Sequence, residues 1–152
     1  MRLKFLLDTN VLVAGLSSRL GASFALLQAV ADGRIGMVAT ASLWLEYEAV
    51  LKRAHIRLMH ELTITEVDEF LDGLAGLVIP LVLHFDWRPQ LRNPGDEMVL
   101  QAAVNGYVDA LVTQNRADFE LAKSCFGLNV WTAATALQQL QLKSTQRTEK
   151  PP

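Results

Sequence analysis

The stretch Leu3–Asn10, which runs Leu-Lys-Phe-Leu-Leu-Asp-Thr-Asn, constrains the fold more than any other part of the chain. A short, nearly continuous apolar run followed by polar residues reads as a strand buried on both faces of a parallel sheet. It delivers Asp8 at its carboxyl end, the edge where open α/β sheets hold their ligands. A carboxylate at that place is either a cap for the next segment or part of a site. The choice turns on whether other acids arrive at the same edge.

Further along, hydrophobic spacing alternates between helix and strand. Val11–Leu16 reads as a short helix ended by Ser17-Ser18. Phe24, Leu26, Leu27, Val30 and Ala31 fall at helical spacing, with Gly33 as a stop. Met37–Ala39 is a second strand, and Thr40 or Ser42 caps a helix running to about Arg53. Leu43, Tyr47, Val50, Leu51 and Ala54 form the inward stripe of that helix. Glu46 lies on the stripe, while Glu48 points away. A buried charged Glu is costly unless a base such as Arg53 pairs with it or it coordinates a cation.

His55–His60 reads as a loop or frayed helical end. Thr63 and Glu66 form a capping box for a helix whose inward residues are Val67, Phe70, Leu71 and Leu74. Leu77–Leu83 is a third strand, placed at an edge by Pro80. Asp86–Leu91 is loop. Arg92–Glu97 opens the next helix, with Asp96 in its first turn, where the helix dipole favours negative charge. Asp109–Thr113 is the fourth strand, Asp118 lies in the turn beyond it, and Leu128–Trp131 is the fifth. Thr132 caps a last helix. Strands alternating with helices imply an α/β fold, a three-layer α/β/α sandwich around a parallel sheet of about five strands. Residues 1–142 form this domain, and Lys143–Pro152 is expected to be a disordered tail.

Half of the 152 residues are apolar and the net charge is −2. That is a globular composition with no global attraction to nucleic acid, so any such contact needs a local patch or a bound cation. The single cysteine, Cys125, allows no internal disulfide, and Met1–Leu7 is too short for a signal peptide. The cytoplasm is therefore the expected compartment. The longest apolar run, Leu74–Phe85, falls short of the ~20 residues that span a bilayer, so no membrane partner is expected.

In such a fold, strand ends and the starts of the following helices share one edge. Asp8, Glu46, Asp96 and Asp118 all arrive there, whereas Asp109 precedes its strand and starts at the opposite edge. Four ionised acids together need a cation. Hard oxygen donors without a Cys or His cluster suit Mg²⁺ or Mn²⁺, and the chemistry of such sites is in-line phosphodiester hydrolysis. Thr9 and Asn10 are placed to orient Asp8 or a metal-bound water. Arg88 and Arg92 lie beside the site in sequence, to hold substrate phosphate or to be solvated. Trp87 is expected to pack on the core rather than stack on a base. His55, His60 and His84 lack metal-ligand spacing and are expected at the surface or in loops.

The chain resembles the PIN-domain nucleases, in particular the VapC-like toxin components of bacterial toxin–antitoxin pairs. The resemblance runs from Leu3 to Leu137. It rests on Leu-Leu-Asp8-Thr-Asn10-Val-Leu-Val, Ser42-x-x-x-Glu46-x-x-x-Val50-Leu-x-Arg53, Arg92-Asn-Pro-Gly-Asp96-Glu, Ala102-Ala103, and Asp109-Ala-Leu-Val-Thr113-x-Asn115-x-x-Asp118-Phe119. It implies a metal-dependent endoribonuclease whose site is formed by Asp8, Glu46, Asp96 and a fourth acid, for which Asp118 is the candidate. It also implies a homodimer, an RNA substrate and an antitoxin whose peptide covers the site. Many relatives carry Gly-Asp after the fourth-strand Thr. Here Thr113 is followed by Gln114-Asn115, which leaves Asn115 to contribute through its carbonyl or a water. Two other functions compete. One is a non-catalytic PIN-like binding module for RNA or protein. The other is a haloacid-dehalogenase-type phosphatase, whose chemistry needs a second Asp two residues after the first, where this chain has Asn10.

Overall fold

A computed structural model of the chain describes residues 2–82, 94–120, 123 and 126–149. The first strand, β1 (Lys4–Leu7), has Phe5, Leu6 and Leu7 fully buried, as an apolar run in a covered sheet requires. It leads through Asp8 into α1 (Thr9–Ser17) and α2 (Ala22–Ala31), then β2 (Gly36–Thr40) and α3 (Ala41–Leu51). Next come α4 (Ala54–His60), α5 (Ile64–Ala75) and β3 (Val78–Leu81), then α6 (Pro94–Asn105) and β4 (Ala110–Val112). A 3₁₀ turn (Arg116–Phe119), β5 (Val130–Trp131) and α7 (Ala133–Glu149) complete the order.

All the strand pairings are parallel, and the sheet order is β3-β2-β1-β4-β5. The first strand is therefore central. Its neighbours β2 and β4 lead away in opposite directions, which makes the β1–β4 boundary the switch point where open sheets leave a crevice at their carboxyl edge. Helices cover the sheet to give the α/β/α sandwich, and one core runs through it, with Leu12, Leu26, Leu43, Tyr47, Leu100 and Phe119 among its fully buried members. Two glycines let backbones come together. A Cβ at Gly15 would stand 3.2 Å from the Ser23 carbonyl oxygen and press on the Leu27 side chain, so its absence gives α1 and α2 room to pack closely. A Cβ at Gly106 would stand 3.1 Å from Val38 Cγ1.

Three expectations from sequence are corrected. His55–His60 belongs to a helix, because α4 packs against α1 and α3 and ends with Glu61 in the left-handed conformation (φ 61°). His60 is a buried residue rather than a surface one: its Nδ1 accepts from the Leu62 N–H at 3.0 Å, which leaves the proton on Nε2, 2.8 Å from the Leu51 carbonyl. The last helix continues to Glu149, into the stretch expected to be a tail, since no glycine or proline interrupts it before Pro151. As expected, Pro80 lies in an edge strand. Among the described residues, no single helix is long and apolar enough to cross a membrane.

Candidate active site

Asp8 sits where β1 becomes α1, and it is both a cap and a component of the carboxyl edge. Its Oδ1 accepts from the Thr9 N–H at 2.8 Å. Its Oδ2 accepts from the Thr113 hydroxyl at 2.8 Å and from Asn10 Nδ2 at 3.3 Å. Thr113 is fully buried at the end of β4, and its Oγ1 in turn accepts from the Asn115 N–H at 3.1 Å. Asn10 closes the network, its Oδ1 accepting from the Gln114 N–H at 3.1 Å. The ends of two adjacent strands are thus tied through one carboxylate, which is held by donors on three sides. Asn10 is engaged in that network at the position where phosphatase chemistry needs an acid.

Beneath this network Tyr47 donates from its hydroxyl to the Leu7 carbonyl. Tyr47 is fully buried, and burial, then Asp8 and Glu46, hold its phenol well above the usual range. The preceding residue, Glu46, projects from α3, which is started by Thr40 accepting from the Leu43 N–H at 3.1 Å. The Oε2 of Glu46 is buried without a hydrogen-bond partner. The sequence-based alternative of an ion pair with Arg53 is not realised; the ion pairs among the described residues join Lys52 to Glu48 and Asp68.

The acids sense one another. Burial raises the Asp8 carboxyl above its ordinary range; Thr113 and the Thr9 N–H pull it down, Asp118 pushes it up, and Asn10 lowers it. Glu46 is raised by burial first, then by Asp8, against Arg53, and further by Asp96. Asp96, in the first turn of α6, is raised by burial, Asp8 and Asp118. Asp118 is exposed, in the 3₁₀ turn after β4. All four acids from separate elements therefore reach one electrostatic neighbourhood, with Asp8 at its centre. Asp109 is at the opposite edge, where its Oδ2 accepts from the Lys4 N–H at 2.7 Å.

Asn115 is exposed and contributes its backbone N–H to the network through Thr113. Arg88 and Arg92, with Trp87 and His84, lie outside the described residues. Sequence reasoning missed the role of Tyr47 as a brace under β1; it appears there only as one member of an apolar stripe.

The donor set consists of hard carboxylate oxygens, which suits Mg²⁺ or Mn²⁺. The orphaned Glu46 Oε2 fits the same reading, since a buried oxygen without a proton donor is stabilised by a cation. Among the described residues, no three acidic, His or Cys side chains are grouped closely enough to hold one ion as they stand.

The sequence pattern of the PIN domain matches residues 4–117, most of the chain. The chain belongs to the PIN-domain family. PIN domains are in general nucleases acting on phosphodiester bonds. No curated protein sequence matches the chain. Among solved structures, a chain in the crystal structure of VapBC2 from Rickettsia felis bound to a DNA fragment from their promoter has the same fold. The TM-score is 0.56 at 14% identity, over 86% of this PIN domain and 98% of that chain.

Proposed function

We propose that this PIN domain is a Mg²⁺- or Mn²⁺-dependent endoribonuclease, the toxin of a toxin–antitoxin pair. The observation that carries this reading is Glu46 Oε2, buried without a partner, on a carboxyl raised by burial first and then by Asp8 and Asp96. Asp8, Glu46 and Asp96 would hold the metal, with Asp118 as the fourth acid. When bound, the metal activates water and neutralises charge on the scissile phosphate. Thr113, Asn10 and the Thr9 N–H fix the Asp8 carboxylate in one orientation, so that its charge is presented to the edge without reorganisation. Tyr47 holds the end of β1, and with it Asp8, at a fixed height over the sheet. Arg88 and Arg92 are proposed to hold substrate phosphate. The protein would act in the cytoplasm as a homodimer, and a cognate antitoxin would cover the acid edge. The shared fold with a chain of a VapBC2 complex supports this assignment.

A second reading, a non-catalytic PIN-like module that binds RNA or protein, is favoured by the acids standing ungrouped and by Gln114-Asn115 after Thr113. One experiment separates the two. Wild type and Asp8→Asn are compared for cleavage of an unstructured RNA with and without millimolar Mn²⁺. A nuclease cuts only with metal and loses orders of magnitude in the variant. No cutting by soluble wild type would leave the binding module. Expression without an antitoxin should also slow the growth of a bacterial host, and harmless overproduction would count against a toxin.

A further inference from the structure

At the sheet edge opposite the acids, an open cleft of ≈ 380 Å³ lies between the end of α6 and the starts of β4 and β5. Val104, Tyr107, Asp109, Phe126 and Asn129 are among its lining residues. Helix α6 ends there in a Schellman turn: the Tyr107 N–H bonds to the Val104 carbonyl at 3.3 Å and the Val108 N–H to the Ala103 carbonyl at 3.5 Å. Such a turn needs one residue in the left-handed conformation, which glycine adopts without strain. The glycine here stands one position early, at Gly106, where a Cβ would crowd Val38 and the Ala102 carbonyl. Tyr107 takes the left-handed place instead, with φ 49°.

For the fold alone that is a poor choice, because a bulky residue in this conformation is strained. Packing does not offset the strain. Tyr107 is 87% exposed, and among the described residues neither its hydroxyl nor its ring has a partner. Strain kept at an exposed aromatic that packs on nothing points to recognition. The same cleft holds Phe126, 41% exposed, and a polar pair fixed in place. Asp109 Oδ2 accepts from the Lys4 N–H at 2.7 Å, and Asn129 Nδ2 donates to the Asp109 carbonyl at 3.0 Å. Positive charge is close by. Lys4 Nζ reaches the carbonyl of Gly106, the residue before Tyr107, at 3.5 Å. A Cβ at Gly36 would stand 3.4 Å from Lys4 Cγ and 3.6 Å from Arg2 Nε, so the two basic side chains pass over one spot.

We propose that this edge binds an unpaired nucleobase of a single-stranded RNA, which stacks on Tyr107 with its N–H edge toward Asp109 while Arg2 and Lys4 take the adjoining phosphate. Aromatic faces beside cations hold single strands in general, and stacking accepts any base. The base-binding chemistry stands by itself; its assignment to RNA rests on the ribonuclease reading. The site gives a chain of net charge −2 a local place that attracts a polyanion away from its acids. Lys4 begins β1 and Asp8 follows its end, so a strand is held at one end of the sheet and met by the acids at the other.

The test uses the whole protein without metal. Binding of an unstructured RNA is measured by fluorescence anisotropy across salt. The amide NMR signals of Tyr107, Gly127 and Asn129 are followed as AMP is added, with ribose 5-phosphate as the control that lacks a base. Tyr107→Gly removes the ring and relieves the strain, so it should melt no lower than wild type. It should bind RNA about tenfold more weakly, the size of one lost base stack. Tyr107→Phe keeps the ring and should bind as wild type does. Arg2→Gln should lower the salt slope by about 0.7, the value for one phosphate on a single strand. AMP should shift the three signals in wild type, and ribose 5-phosphate should leave them in place. Signals that ignore AMP would overturn the base site. AMP shifts with unchanged RNA binding in Tyr107→Gly would overturn its use by a strand. RNA binding that depends on Tyr107 in a protein that cuts no RNA with Mn²⁺ would sink the nuclease reading and leave the base site standing.

Discussion

The hydroxyl of Thr113 donates to Asp8 Oδ2 at 2.8 Å across 105 residues of sequence. It joins the ends of β1 and β4 at the point where the sheet order turns back on itself. Thr113→Val keeps the shape and removes the donor. Asp8 then loses the strongest influence lowering its carboxyl, and the Asn115 N–H loses its acceptor. Stability should fall by about 1–3 kcal/mol, the cost of stranded buried polar groups. RNA cleavage should fall with it, and Thr113→Ser should recover most of both. Thermal melts and a cleavage assay on the three proteins check this.

The acid edge also sets a dependence on pH. Asp8, Glu46 and Asp96 are raised in the folded state from ordinary values of 3.8 for Asp and 4.5 for Glu. Across the window between those values and the raised ones, the folded protein holds more protons than the unfolded chain. The stability of these groups is therefore fully present below the window and is lost as pH rises through it. Glu46→Gln removes one titrating member. Without metal, the variant should gain on wild type in melting temperature between pH 4 and pH 7. Mn²⁺ should reverse the order at pH 7, because it stabilises the wild type by linkage and the variant little. Melting curves at both pH values decide it, and a difference that ignores pH would mean that Glu46 is not part of the repelling set.

Calorimetric titration offers a direct check on the metal. Wild type should show a Mn²⁺ site, and Glu46→Gln or Asp8→Asn should weaken it strongly, since each removes a charged oxygen from the set. A titration with no site in wild type would remove the basis for metal-dependent cleavage.

Tyr47→Phe isolates the brace under β1. The ring, packed edge-on against Trp44 with centroids 5.9 Å apart, stays in place, and only the bond to the Leu7 carbonyl is lost. The expected loss is about 1 kcal/mol. Cleavage should fall further than such a small loss of stability explains, because Asp8 follows directly after Leu7. Equal activity at a temperature well below melting would show that β1 holds its end without help.

His60→Ala tests a purely structural residue. It should cost about 2–3 kcal/mol by leaving the Leu51 carbonyl and the Leu62 N–H unsatisfied around a cavity. Hydrogen exchange at Leu62 should speed up, while metal binding at low temperature should be unchanged.

The parts of this fold that were legible are those where one pattern decides. The buried run before Asp8, the Thr63–Glu66 capping box and the edge proline each speak through local chemistry, and all three are present. The four acids could be placed at one edge because strand ends and helix starts alternate regularly. What was hidden depends on partners distant in sequence. Helix α4 mixes apolar and basic residues and is settled by packing on α1. The burial of His60 follows from a carbonyl nine residues away. The Thr113–Asp8 bond and the meeting of α2 with α7 at one cleft have no local signature at all.

The position of β1 carries a consequence for how the protein is made. The strand is synthesised before the other described strands, yet it occupies the centre of the sheet and is flanked on one side by β4. Its pairing there, and the bond from Thr113 to Asp8, wait for a segment made 105 residues later. Contacts so distant form slowly and late, after the long loop between them has been closed. A nascent chain on the ribosome therefore carries Asp8 without its Thr113 partner until the segment holding β4 has been made. The acid edge comes together only after release of the segment that completes it.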